Sequence, residues 1–103
     1  MKSIFTDDLR HCHITGRGGH VEVHHVFGAS NRTRSTFYGF TVPLLAEIHP
    51  NGAFRNDKLC EKLTGKTVKD IDSELKQACQ KYYEEELGKS RENWVEEFGR
   101  SYL

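Results

Sequence analysis

Six histidines occupy positions 11, 13, 20, 24, 25 and 49 of a 103-residue chain, and none follows position 49. Two are adjacent, His24 and His25, at the end of the apolar stretch Val21-Glu22-Val23-His24-His25-Val26-Phe27. An imidazole is a metal ligand when neutral and a general base when its pKa lies near neutrality. A histidine pair at a strand end, with His49 some distance downstream, therefore suits a divalent metal held beside a general base. That is the chemistry of phosphodiester hydrolysis, in which a Lewis acid works with an activated water.

The loop Asn31-Arg32-Thr33-Arg34-Ser35 offers two arginines among amide and hydroxyl donors. Such a set grips a phosphate backbone without reading sequence, so Asn31, Arg32 and Arg34 are the candidate nucleic-acid contacts.

These residues need elements to hold them. Arg10 to Ile14 alternates, and Val21, Val23, His25 and Phe27 share one face of a second strand. With Thr15 to Gly19 as the turn, residues 10–27 read as a β-hairpin. Adjacent residues of an ideal strand face opposite ways, so His24 and His25 share a site only where the strand ends or bends. Residues 28–36 read as a polar loop. Pro43 suits the first turn of a short helix through His49, ended by Pro50-Asn51-Gly52.

Asn56 caps a second short helix to Leu63. Thr67, with Asp70, opens the longest helix, whose apolar face is Val68, Ile71, Leu75, Cys79, Tyr82 and Leu87. Ser90 caps a last helix carrying Trp94, Val95 and Phe98, with Tyr102 and Leu103 packing back. The reading is α+β, one domain over 1–103: a hairpin-and-helix core (10–49) under a helical cover (56–103) that supplies the apolar core.

Composition narrows the function. Hydrophobic residues make up 36% and charged residues 29%, so the chain is polar yet foldable. Lys plus Arg equals Asp plus Glu at 15 each, which argues against a general nucleic-acid binder. The first 56 residues hold six Lys/Arg against four Asp/Glu, and the rest hold nine against eleven. Any DNA contact is then local. No apolar run reaches the roughly 18 residues of a membrane span, and Met1 to Arg10 has no secretory pattern, which predicts a cytoplasmic location. Cys12, Cys60 and Cys79 are odd in number and widely spaced, and read as free thiols.

Taken in order, Val23-His24-His25-Val26-Phe27-Gly28, Asn31-Arg32, Ser35, Tyr38-Gly39, Val42-Pro43-Leu44 and His49 resemble the HNH (ββα-metal) nuclease-like proteins of phages and prophages. The likeness runs on through Leu75-Lys76 and Gln80 to the tail Phe98-Gly99-Arg100-Ser101-Tyr102-Leu103, and so spans nearly the whole chain. It implies that His24 and His49 are metal ligands and that His25 is the general base. It implies a small ββα-metal module in a host-cell cytoplasm, acting on DNA as an endonuclease or nickase.

The chain departs from that family at several places. A second histidine is expected where Ile48 stands, and a further one where Phe54 stands. The cysteine expected after Val-Pro-Leu is absent, since Leu45 and Ala46 follow, and the middle Asn has no secure counterpart in Tyr38-Gly39-Phe40. Two imidazoles suit Zn²⁺, Ni²⁺ or Co²⁺ better than Mg²⁺ or Mn²⁺, which prefer oxygen. A different class of function follows from the same departures. A catalytically decayed scaffold would act as a nucleic-acid- or protein-binding module, such as an anti-CRISPR-type inhibitor of a host defence nuclease or nucleoprotein.

Overall fold

Residues 21–25 and 41–45 pair as the two strands of an antiparallel sheet in this computed structural model, which describes residues 2–103. β1 is Val21–His25 and β2 is Thr41–Leu45. The register sets Val21 opposite Leu45, Val23 opposite Pro43, and His25 opposite Thr41. Between the strands lie a 3-10 turn, Ala29–Asn31, and a short helix, α1 (Arg32–Tyr38). After β2 come a 3-10 turn, Ala46–Ile48, then α2 (Asp57–Thr64), α3 (Val68–Lys81), a π-helical turn (Tyr82–Glu86) and α4 (Arg91–Phe98). The class is α+β.

The expected hairpin over 10–27 does not form, because β1 takes a partner 20 residues farther along the chain. Residues 10–17 instead close on themselves: Cys12 N donates to Arg17 O at 2.8 Å and Gly16 N to Cys12 O at 2.8 Å. Among the described residues, the segment's one backbone hydrogen bond to the sheet is from His13 N to Pro43 O at 2.9 Å, and Cys12 is buried in the core.

That bond also explains how proline sits in a strand. The carbonyl of Pro43 faces away from β1, so its missing N–H lies on the outer edge and no ladder bond is lost. The helix expected from Pro43 to His49 is thus a strand, every residue of which is buried, followed by one 3-10 turn. A short, continuously apolar run cannot be assigned to helix or strand by periodicity.

The expected loop at 28–36 is largely helical. Its inward-facing residues are Ser35 and Tyr38, and a buried serine leaves no apolar period to detect. Ser35 is satisfied by Phe27, donating to its carbonyl at 2.7 Å and accepting from its N–H at 3.0 Å. Gly39, at φ 78°, ends the helix where a side chain would be strained.

The C-terminal half follows its capping residues. Asn56 accepts from Leu59 N, Thr67 and Asp70 form a reciprocal capping box, and Ser90 accepts from Asn93 N. Val68, Ile71, Leu75 and Cys79 are buried as the face predicts. The π turn then shifts the register: Tyr83 is fully buried, Tyr82 is half-buried, and Leu87 is exposed. In α4 the buried residues are Trp94 and Phe98, while Val95 is exposed. Tyr102 packs on the core as expected, and Leu103 does not. All three cysteines are free and buried. Burial pushes the Cys60 and Cys79 thiols up, which makes them inert.

One polar group fastens α4 to this core. The Glu97 carboxylate accepts from the Tyr38 hydroxyl at 2.7 and 2.8 Å and from the Tyr83 hydroxyl at 2.5 Å. Burial and the neighbouring carboxylate push Tyr38 up to about 12 and Tyr83 higher still. Burial also pushes the Glu97 carboxyl upward, but the two hydroxyl donors outweigh it and hold the group below the ordinary carboxylate value.

Removing this carboxylate strands two phenols. Glu97→Ala is expected to cost about 3 kcal/mol in urea unfolding, since a charge-assisted hydrogen bond is worth about 1.5–3 kcal/mol. Because the folded pKa is depressed, this contribution is fully present above the unfolded carboxylate value. It disappears as pH falls through the lower folded one. The gap between wild type and variant should therefore narrow in acid; a gap that widens there contradicts the assignment.

Candidate functional site

Strand alternation decides which way each histidine faces. Glu22 and His24 lie on one face of β1 and His25 on the other. On the first face, His49 Nδ1 meets Glu22 Oε1 at 2.6 Å, and the second carboxylate oxygen of Glu22 lies 3.3 Å from His20 Nε2. His49 follows the 3-10 turn with extended backbone (φ −70°, ψ 115°), so it reaches the site from the end of a turn and not from a helix. Its ring meets that of His24 edge-on, with centroids 4.9 Å apart. The Glu22 contact occupies Nδ1 of His49 and leaves Nε2 as the remaining nitrogen. A carboxylate orienting an imidazole in this way is a common support for metal-ligating histidine.

His24 is 2% exposed, and its Nε2 is buried without any hydrogen-bond partner among the described residues. The nearest oppositely charged group is the Asp72 carboxylate of α3, with Oδ1 3.7 Å away, too long for a hydrogen bond. Asp72 is also held by Lys76 Nζ at 2.9 Å. Burial lowers the His24 pKa, with Asp72 opposing the shift and the neighbouring His49 adding to it. The ring is therefore kept neutral, which is the form that binds a metal. An orphaned buried nitrogen of this kind calls for an explanation, and a neutral imidazole nitrogen is able to ligate a metal.

On the other face, His25 Nε2 lies 3.1 Å from Thr36 Oγ1 of α1. Burial, then the Arg32 guanidinium, hold His25 below its ordinary pKa, which keeps it in the proton-accepting form. His24, His25 and His49 nevertheless open onto one cleft of about 270 Å³ at the end of β1, shared with Gly28, Ala29, Arg32 and Asn51. The three candidate site histidines thus line one cleft, although His24 and His25 leave the strand on opposite faces and His49 comes from a turn.

The candidate phosphate contacts divide. Arg32 lines the histidine cleft. Arg34 is engaged elsewhere: its Nη1 donates to Asn31 Oδ1 and to Glu97 O, each at 3.0 Å, tying α1 to α4. Asn31 borders an adjoining polar pocket with Asp72, Lys76 and Tyr102.

No family model, no curated protein and no solved structure matches this chain. The site has to be judged on its own residues.

Those residues form a small donor set. Among the described residues, no group of three or more His, Cys, Asp or Glu side chains is gathered so as to hold a metal ion. Ile48, where the resemblance places a second histidine, is completely buried in the core. Phe54 is 58% exposed and packs edge-on against His20 with centroids 5.1 Å apart. His11 pairs with Asp8 at 2.7 Å on the surface, and His13 lies against Phe5, so neither joins the cleft. Cys12 is buried, as a structural thiol would be.

Sequence reasoning missed Glu22, Thr36 and Asp72. Glu22 was the most accessible of the three, since it is two residues from His24 and shares its strand face. Asp72 offered no such signal, because it reaches His24 only through the packing of α3.

Proposed function

We propose that this chain is an HNH-like protein of phage type whose cleft hydrolyses a nucleic-acid phosphodiester, with His24 and His49 holding one divalent cation. The observation that carries the reading is the buried, unpartnered Nε2 of His24 beside the Glu22-oriented ring of His49. Two imidazoles would suit Zn²⁺ or Ni²⁺ better than Mg²⁺ or Mn²⁺, which prefer oxygen ligands. Such a cation supplies Lewis acidity toward the phosphate. The chain's own residues do the rest: His25 accepts the proton of the attacking water, Thr36 orients His25, and Arg32 binds the phosphate.

The test joins elemental analysis of the purified protein to nicking of supercoiled plasmid under Mg²⁺, Mn²⁺, Ni²⁺ and Zn²⁺. We expect one Zn²⁺ or Ni²⁺ per chain, nicking that chelator abolishes, and at least a tenfold loss of metal affinity in Glu22→Gln, which leaves both ligands but unseats one. Protein that takes up no cation by calorimetry sinks the reading.

That no third donor joins the two imidazoles among the described residues favours a second reading. Here the HNH-like scaffold no longer hydrolyses DNA and acts as a binding module for nucleic acid or for a host defence nucleoprotein, as an anti-CRISPR protein does. Stable complex formation with no cleavage under any of the four cations is the outcome that selects it.

A further inference from the structure

Phe37 is 75% exposed, more than any other large hydrophobic residue described here. It stands on α1, the helix that also carries Arg32 and Thr36. Its one close aromatic neighbour is Tyr38, edge-on at 5.0 Å, so the face of the ring is not covered by the core. A shallow depression beside it is bounded by Arg32, Thr33, Thr36 and Phe37. One of these residues, Arg32, also lines the histidine cleft, and another, Thr36, bonds His25 of that cleft. The aromatic surface and the cleft are thus continuous.

Among the described residues, the side chains that line the two depressions beside the ring include cations and no carboxylate. On α1 the cation beside the ring is Arg32, while Arg34 is turned to Asn31 and the Glu97 carbonyl. On the other flank of Phe37, Lys2 and Lys89 border a second depression together with Tyr38, Tyr82 and Leu87. The ring is therefore bracketed by cations on both sides. Protein interfaces are depleted of charge at the core of the patch, above all of lysine. A polyanion presenting flat apolar rings between phosphates needs the reverse, an aromatic face set among cations.

We propose that this face of α1 is a stacking platform for an unpaired base of single-stranded nucleic acid, with Phe37 as the ring and Arg32 as the phosphate contact leading into the histidine cleft. The proposal rests on reading that cleft as a phosphodiester site. It goes further in naming the substrate form. In a duplex both faces of each base are already stacked, and a ring enters only by unstacking a step. An unpaired base offers its face freely.

The experiment measures binding of a fluorescein-labelled single strand of about twelve nucleotides, and of its duplex, by anisotropy in EDTA at low salt. It compares wild type, Phe37→Ala and Phe37→Trp. The side chain is exposed, so both variants should melt as wild type does. We expect Phe37→Ala to weaken single-strand binding about tenfold or more and to leave the weaker duplex binding little changed. Phe37→Trp should bind at least as well as wild type. Its fluorescence should be quenched on binding, since the native Trp94 is buried.

Single-strand binding by Phe37→Ala within about twofold of wild type, or unmoved fluorescence in a saturated Phe37→Trp complex, overturns the platform. Equal weakening of duplex binding overturns the single-strand assignment, because the ring would then act as a wedge. If wild type binds neither oligonucleotide, or Phe37→Ala breaks up an oligomer, the face is a protein contact and the platform is wrong. Phe37-dependent single-strand binding without plasmid nicking leaves the platform standing and removes the hydrolytic reading alone. Nicking that persists with no role for Phe37 does the opposite.

Discussion

His25→Ala is expected to lower metal-dependent plasmid nicking by about a hundredfold or more, the ordinary loss for removal of a general base. The fold should survive the change. The side chain makes a single hydrogen bond, to Thr36 Oγ1, and that hydroxyl also donates to Arg32 O at 3.2 Å. One such bond at the rim is worth about 1 kcal/mol. Metal uptake should also persist, because His25 lies on the strand face away from the Glu22-held ring of His49. The three readouts together separate roles that a simple loss of activity would confuse. A variant that nicks as fast as wild type removes His25 from the chemistry. A variant that also loses the cation turns it into a ligand.

The largest loss of stability is expected at Trp94. The indole is fully buried, stacks on Phe98 with centroids 4.2 Å apart, and meets Phe27 at 5.3 Å and Tyr83 at 5.2 Å. Its Nε1 donates to Arg100 O at 2.8 Å, which turns the tail back over the core. Trp94→Ala should cost about 3–5 kcal/mol, because the cavity is walled by rings that cannot collapse into it. A domain of this size has about 5–15 kcal/mol in total. At about 4–8 °C per kcal/mol, the melting temperature should drop by on the order of 15–30 °C. Trp94→Phe should recover much of this, since it restores ring volume and lacks only the hydrogen bond. A Trp94→Ala melt within a few degrees of wild type would show that α4 is not part of the cooperative unit.

This second effect bears on the site. Phe27 follows β1 by two residues and packs on Trp94, Phe98 and Tyr102. The histidine-bearing strand is thus anchored to the C-terminal helix through one aromatic cluster. A two-stranded sheet has little stability of its own. The helical half is therefore what keeps His24 and His25 in place, and no helix in it is long and apolar enough to cross a membrane.

The chain's own residues determined where the helices of the C-terminal half begin and most of the face of α3, but not the register after the π turn. Asn56, Thr67 with Asp70, and Ser90 start helices where they should, and Gly65 and Gly99 end them, because caps act through neighbours a few residues away. The position of His24 and His25 at the end of a strand was legible too, whereas His49 comes from a 3-10 turn and not from the helix expected there. Only the tertiary structure decided what holds them. The partner of β1 is 20 residues away, and nothing local distinguishes the buried strand at 41–45 from a helix. The helix at 32–38 hides behind a buried serine. Glu22 fixing His49, Asp72 facing the orphaned nitrogen of His24, and Arg34 spent on Glu97 are all contacts between distant segments. Capping and turn chemistry are short-range and can be read along a chain, whereas strand pairing and charge pairing depend on which surfaces the apolar core brings together.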